Sequence, residues 1–283
     1  MAKETIVAIL YDFDKTLSTT DMQDYKFIPD LGMTPEQFWG STSDFTNKTG
    51  VERILSYMYM MIVQAKKKGI KLNREYLRSC GKDIKFFPGV TTWFKRINDY
   101  GKTKNVIVEH YLISSGTKEI IEGSSIINEF KEAYACEYFY DENDEPVWPK
   151  LTINYTQKTQ FIFRVAKGAT NANDDQGVNQ KTKVLRIPFR NLIYLGDGMT
   201  DIASMTLVKK NDGHSIAIYS KEDPEKVKQL YDENRVSFTC RADYTSGSDL
   251  ETVIKLLIDS ASTYSEIERK QAFLASKDTP KNN

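Results

Sequence analysis

Two aspartates, Asp12 and Asp14, follow the apolar run "IVAIL" with only Tyr11 between, and Lys15 and Thr16 come directly after them. A second acidic pair, Asp197 and Asp201, lies in "GDGMTD" (196–201), behind the apolar "NLIYL". Between these pairs in chain order stand Ser114 and Ser115 of "LISSG" (112–116), and Lys158. Carboxylates, a hydroxyl and one ammonium suit a hard cation such as Mg2+, which prefers carboxylate oxygens and keeps several waters, together with a phosphoryl group. That chemistry requires the groups to meet.

The elements around them provide for this. Residues 6–11 form a continuous apolar run, as a strand buried on both faces of a parallel sheet does. Similar runs recur at 106–114 and 191–198, each passing through a glycine-containing turn into a helix-like stretch. Alternating strands and helices predict an α/β fold, a Rossmann-like parallel sheet core with helices on both faces. Ligands of such sheets sit beyond the carboxyl ends of the strands, where all three clusters fall.

A segment of different character, residues 20–85, is inserted after the first strand and reads as a small helical domain. "TPEQFW" offers Thr34 as N-cap, Pro35 at the first helical position and Gln37 to complete a capping box. Val51, Ile54, Leu55, Met58, Met61 and Ile62 keep helical spacing until "KKKG", and Asn73 is placed to cap "REYLRSC". The Met and Tyr residues of "SYMYMMIV" read as packing core, since helical periodicity already accounts for them. "FFPGV" (86–90) marks the return, so residues 1–19 and 86–283 form the core domain and 20–85 the helical one. Within the core domain, residues 134–154 predict a hairpin and "TQKTQFIFRVAKG" a short helix. Residues 168–183 read as an exposed loop, and the C-terminal stretch as a charged helix ending in a frayed tail.

Bulk properties narrow the function. The chain has 283 residues, and Lys plus Arg equal Asp plus Glu at 39 each. No global charge favours nucleic acid or a charged surface as partner, so phosphate binding must be local. The longest apolar segment, "ILSYMYMMIVQA", falls short of the roughly 20 residues that span a bilayer. The N-terminus reads as a first strand with no cleavage site, and a cytoplasmic protein without a membrane partner is expected. Cys80, Cys136 and Cys240 lack metal or disulfide spacing and read as buried thiols; His110 and His214 read as structural. Oligomeric state is not legible.

The four dispersed motifs, "DFDKT" (12–16), "LISSG", Lys158 and "GDGMTD", resemble in content and order those of the haloacid dehalogenase superfamily of aspartate-nucleophile phosphatases. The resemblance implies Mg2+-dependent hydrolysis of a small phosphomonoester, with Asp12 as nucleophile forming an aspartyl-phosphate and Asp14 as general acid and base. It further implies a metal held by Asp12, the Asp14 backbone carbonyl and Asp197, a phosphoryl contact from Ser114, charge neutralisation by Lys158, and an orienting role for Asp201. The helical insert is similar to the cap of the phosphoserine-phosphatase-like branch, in which Asp21 or Asp24 and, by rough location, Arg53 would meet the substrate. Ser115 replaces Ser114 if the strand ends one residue later, and Lys150 and Lys167 rival Lys158.

Other readings compete. Asp12-x-Asp14 alone also describes a strand-end turn, and "GDGMTD" alone a glycine-rich turn capped by aspartate; their joint occurrence at strand ends favours chemistry. "DKT" is also similar to the phosphorylation motif of P-type pumps, which would make Asp14 the nucleophile, but the chain continues "LSTT" and offers no membrane spans. Lys15 is then incidental. "YGKT" (100–103) fails as a P-loop because Arg96 stands where glycine is required, and reads as a surface turn. A phosphotransferase or phosphomutase would use the same motifs, and a binding module would keep the fold without turnover.

Overall fold

The computed structural model describes residues 4–182, 184–198, 200–220 and 224–277. Met199 of "GDGMTD" and the tail expected to fray, 278–283, lie outside the described residues. Strand β1 (Thr5–Tyr11) opens the chain, with every residue from Val7 to Tyr11 buried, as its unbroken apolar run requires. Helices α1 (Phe27–Leu31), α2 (Pro35–Thr49), α3 (Arg53–Lys68) and α4 (Arg74–Gly81) follow. Then come α5 (Val90–Thr103), β2 (Val106–Thr117), α6 (Lys118–Glu122), β3 (Glu132–Tyr140), β4 (Pro146–Leu151), α7 (Lys158–Lys167) and α8 (Asp175–Asn179). The order ends with β5 (Leu192–Gly196), α9 (Ile202–Lys210), β6 (His214–Tyr219), α10 (Pro224–Asp232), β7 (Phe238–Arg241) and α11 (Asp249–Lys277).

The strands form a 7-stranded sheet in the order β4-β3-β2-β1-β5-β6-β7. Every neighbouring pair is parallel except the β3–β4 hairpin. Strand β1 is therefore central, and the strand order reverses beside it, where ligand sites of open sheets occur. Helices α5 and α11 pack together over β1 and β2, while α7 and α9 pack together and reach β2, β5 and β6.

Under α5 lies a buried polar chain. Trp93 Nε1 donates to the Tyr11 hydroxyl at 2.9 Å, that hydroxyl meets His110 Nδ1 at 2.9 Å, and His110 Nε2 meets Asn98 Oδ1 at 3.1 Å. Burial of the fully enclosed Trp93 contributes on the order of 2–3 kcal/mol, and the chain satisfies the polar atoms that this burial would otherwise strand.

The segment carrying α1 to α4 leaves and re-enters by adjacent paths. Phe87 N–H donates to Leu17 O, and Thr19 N–H to Lys85 O, each at 2.9 Å. Helix α2 starts with the Thr34–Gln37 capping box and Pro35, α3 with Glu52 accepting from the Ile54 and Leu55 amides, and α4 with Asn73 accepting from Tyr76. Three lysines in the last turn of α3 complement the helix dipole. The segment is tied back by Tyr138 Oη donating to Met58 O at 2.8 Å, by the Arg78–Glu122 ion pair at 2.7 Å and by an Arg74–Asp144 pair.

Three expectations change. The stretch 168–183, described up to residue 182, is not a plain loop: Asp174 caps the short α8, and buried Arg164 pins it through the Asn171 and Asp174 carbonyls at 2.7 and 2.9 Å. "YGKT" is the last turn of α5 instead of a surface turn, with Gly101 buried there. Strand β2 runs on to Thr117 because its small residues stay extended and pair again with β3 after an irregularity.

Candidate active site

The sequence clusters meet at the carboxyl end of β1. The Asp12 amide donates to Leu195 O at 2.9 Å, which holds Asp12 beside the end of β5. Lys158, at the start of α7, is 1% exposed and places Nζ 2.7 Å from both Asp12 Oδ1 and Asp201 Oδ1. Asp201 is fully buried at the start of α9, and its Oδ1 also accepts from the Tyr194 hydroxyl at 2.7 Å. Gly196 makes this approach feasible: a Cβ there would lie 2.5 Å from Asp201 Cγ. Lys150 instead pairs with Glu137, and Lys167 donates to the Val178 and Gln180 carbonyls.

Carboxylate oxygens of Asp12, Asp197 and Asp201 lie within 4.8 Å of one another. Asp14 stands apart from that trio, its Oδ1 accepting from the Met22 amide at 2.8 Å. Gly116 completes this side, since a Cβ there would run into Met22 Cε at 2.0 Å and crowd Asp14 Oδ2.

Electrostatics follow from the crowding. Burial raises Asp12 to about 8, Asp201 and Asp197 add to the rise, and Lys158 opposes it. Burial, then Asp21 and Asp12, push Asp14 well above the usual carboxylate range. Burial disfavours charge on Lys158, but Asp12 and Asp201 outweigh it and hold the ammonium well above its ordinary value.

A cavity of about 310 Å³ opens over these groups. Asp12, Asp14, Lys158, Asp197, Ser115 and Gly116 line its floor, and Lys15, Asp21, Gln23, Trp39, Ile54, Tyr57 and Thr200 complete the lining. Four aspartates therefore face two lysines. Hard oxygen donors in this excess, with carboxylates of Asp12 and Asp197 close together in the lining, fit a divalent cation such as Mg2+.

Several expected residues fall elsewhere. Ser114 is 1% exposed, its Oγ accepts from the Gly116 amide at 2.9 Å, and it is absent from the cavity lining; Ser115 lines it, with Oγ unpartnered among the described residues. Of the two serines, Ser115 is the one in the cavity lining. Arg53 is exposed at the first turn of α3 while Ile54 lines the cavity, because one helical step turns the side chain by about 100°. Asp24 is occupied by Thr20 at 2.6 Å and Trp39 Nε1 at 3.3 Å. Tyr57 belongs to the Met-Tyr stripe and yet lines the cavity, unlike its buried Met neighbours.

Lys15 is not incidental. It lines the cavity, pairs with Asp21 at 2.7 Å, and sits at φ 58°, a left-handed conformation that costs a non-glycine residue about 1–2 kcal/mol. The cue was local: a turn that reverses direction straight after a strand often needs a residue with positive φ.

No family model matches the chain. An uncharacterized protein of Borreliella burgdorferi is 26% identical over 275 residues, covering 88% of this chain and 95% of that one. A HAD family hydrolase of Salmonella enterica subsp. enterica serovar Typhi matches the structure with a TM-score of 0.58 at 17% identity, over 88% of this chain and 70% of that chain. A phosphoserine phosphatase solved as a phospho-aspartyl intermediate analogue gives 0.54 at 18% identity, over 89% and 99% of the two chains. The same enzyme type in apo form gives 0.54 at 16% identity, over 88% and 98%. The chain has the haloacid dehalogenase-type fold. Among the described residues no helix is long and apolar enough to cross a membrane.

Proposed function

We propose that the chain is a Mg2+-dependent phosphatase that hydrolyses a small phosphomonoester through an aspartyl-phosphate on Asp12. The observation that carries this is the convergence of Asp12, Asp201 and Asp197 around one buried ammonium, Lys158, on the floor of a cavity at the carboxyl end of the central strand. The likeness in fold to a phosphoserine phosphatase solved as a phospho-aspartyl analogue supports the same reading.

In this mechanism an Asp12 carboxylate oxygen attacks phosphorus, and the bond from phosphorus to the leaving oxygen breaks. Asp14, raised well above the usual carboxylate range, carries the proton that the departing alkoxide takes. The resulting Asp14 carboxylate then accepts a proton from water, whose oxygen attacks the aspartyl-phosphate and releases phosphate. Lys158 offsets charge on the phosphoryl oxygens and on Asp12, while Asp201, which also accepts from the Tyr194 hydroxyl, holds its ammonium in place. Ser114 or Ser115 supplies the hydroxyl for a phosphoryl oxygen; Ser115 lines the cavity, and its buried Oγ is unpartnered among the described residues. Asp12, Asp197 and the Asp14 backbone carbonyl would hold the cation, which supplies positive charge where carboxylates outnumber lysines. The segment 20–85 acts as a cap that covers the cavity and contributes Trp39, Ile54 and Tyr57 to its walls. The cytoplasm is the proposed location.

The test is hydrolysis of acetyl phosphate, a substrate that asks little of the walls, with and without Mg2+. Activity that needs the cation, disappears in Asp12→Asn and leaves phosphate trapped on residue 12 after acid quenching is expected. Turnover surviving in Asp12→Asn would refute the covalent route.

A further inference from the structure

The walls of the cavity differ in kind from its floor. Two of its aromatic side chains have already used their polar atoms: Tyr57 Oη donates to Ser115 O at 2.8 Å, and Trp39 Nε1 donates to Asp24 Oδ1 at 3.3 Å. What they offer a ligand is ring surface, and Ile54 adds more apolar wall. The two rings meet at 6.1 Å and 67°, so they form a corner and not two separate contacts.

The charged wall is self-contained. Lys15 and Asp21 neutralise each other at 2.7 Å, and Lys158 is engaged by Asp12 and Asp201. Among the described residues no arginine lines the cavity, and Arg53 lies outside it. A leaving group with a carboxylate therefore meets no unpaired cation among the described lining residues, and one without a ring would leave the apolar corner of Trp39, Tyr57 and Ile54 unfilled.

Beyond Ser115, two neutral polar side chains line the cavity, Thr200 and Gln23, and only Gln23 is buried. Gln23 is 2% exposed, lines the same cavity, and its Oε1 has no hydrogen-bond partner among the described residues. A buried amide oxygen left without a partner is costly unless a ligand supplies one. The volume, about 310 Å³, is at the small end for ligand sites.

We propose that the leaving alcohol carries one planar heteroaromatic ring, stacked in the Trp39–Tyr57 corner with a polar edge at Gln23. This rests on the phosphatase reading above and narrows its substrate class. Aromatic faces accept planar rings with little regard to their identity, so the corner selects shape while Gln23 selects the polar edge.

The experiment measures kcat/KM in Mg2+ for pyridoxal 5′-phosphate and uridine 5′-monophosphate against glycerol 3-phosphate, phosphoserine and acetyl phosphate. A preference of about tenfold or more for a ring-bearing substrate over glycerol 3-phosphate and phosphoserine is expected. Trp39→Leu should shrink that ratio about tenfold, mainly by raising KM for the ring substrate, while Trp39→Phe retains most of it. Tyr57→Leu provides the same readout where the Trp39 variant does not fold. Hydrolysis of acetyl phosphate with phosphoserine or glycerol 3-phosphate equal to or better than both ring substrates would overturn the ring and leave the phosphatase standing. Failure of folded protein to hydrolyse any of the five would overturn the phosphatase and the ring together.

Discussion

Replacing Lys158 with methionine tests the centre of the site. The side chain is 1% exposed, and its Nζ makes two charge-assisted hydrogen bonds of 2.7 Å to carboxylates that are themselves buried. Methionine fills much the same volume without the charge, so packing is largely kept and the electrostatic loss dominates. Removing one member of a buried ion pair costs about 3–5 kcal/mol, because the partner charges remain in low dielectric. For a chain of this size that corresponds to a fall in Tm of roughly 10 °C. Circular dichroism melts with and without Mg2+ provide the assay, alongside acetyl phosphate turnover. The variant should be less stable, lose turnover by at least about a thousandfold, and regain more stability from Mg2+ than the wild type does, since a cation beside Asp12 and Asp197 would supply the missing positive charge. Lys150→Met is the comparison: its pair with Glu137 is 55% exposed on the lysine side, so the change should stay below about 1 kcal/mol. A Lys158→Met protein that melts with the wild type, or that turns over normally, would refute the reasoning.

Further outcomes follow from other contacts. Burial lowers His110 to about 3 from an ordinary value of 6.5, so the folded state holds it neutral and the unfolded state binds the proton first. Its contribution is complete above pH 6.5 and declines on acidification toward the folded value, by about 2 kcal/mol between pH 6.5 and about pH 5. Denaturant titrations across that interval should show this slope in the wild type and a shallower one in His110→Gln. Gly196→Ala places a Cβ 2.5 Å from Asp201 Cγ and must displace Asp201 from Lys158; about a hundredfold loss of kcat with lowered stability is expected in steady-state assays and melts. Lys15→Gly removes left-handed strain of about 1–2 kcal/mol but also an exposed ion pair and some chain stiffness. Its stability should stay within about 1 kcal/mol of wild type by chemical denaturation, while the now unpaired Asp21 weakens binding of anionic substrates, read as a higher KM. Acid titration of Glu109→Gln completes the set. Burial opposes its charge, but Arg186 and Lys131 prevail and hold the carboxyl at about 2, below the ordinary 4.5. The wild type therefore gains on the order of 2–3 kcal/mol above pH 4.5, lost as pH falls toward 2, which the variant should lack.

Much of the scaffold was legible in local patterns. The apolar runs ending in Asp12 and in Gly196 announced buried parallel strands, because a strand covered on both faces has no polar alternation to show. Thr34, Pro35, Gln37 and Asn73 announced helix starts, since capping is a matter of a few consecutive residues and is complete within one turn. The spacing of aspartates at strand ends also announced a cluster, as open sheets gather their ligands there.

Other features depend on where distant segments come to rest. Periodicity assigned Tyr57 to a packing stripe, and only the approach of α3 to the end of β2 gives it a cavity to line. Arg53 and Ile54 are adjacent in sequence and differ because a single helical step decides which of them faces the cavity. Lys15 looked incidental because its partner, Asp21, meets it only after the chain turns with a positive φ. The residue types that do chemistry, and the strand ends that present them, are local properties written in consecutive residues. Which serine faces the cavity, which lysine reaches Asp12, and what surface meets the leaving group are decided by packing between elements far apart in the chain. Those contacts arise from shape and burial across the whole fold, and no window of sequence contains them.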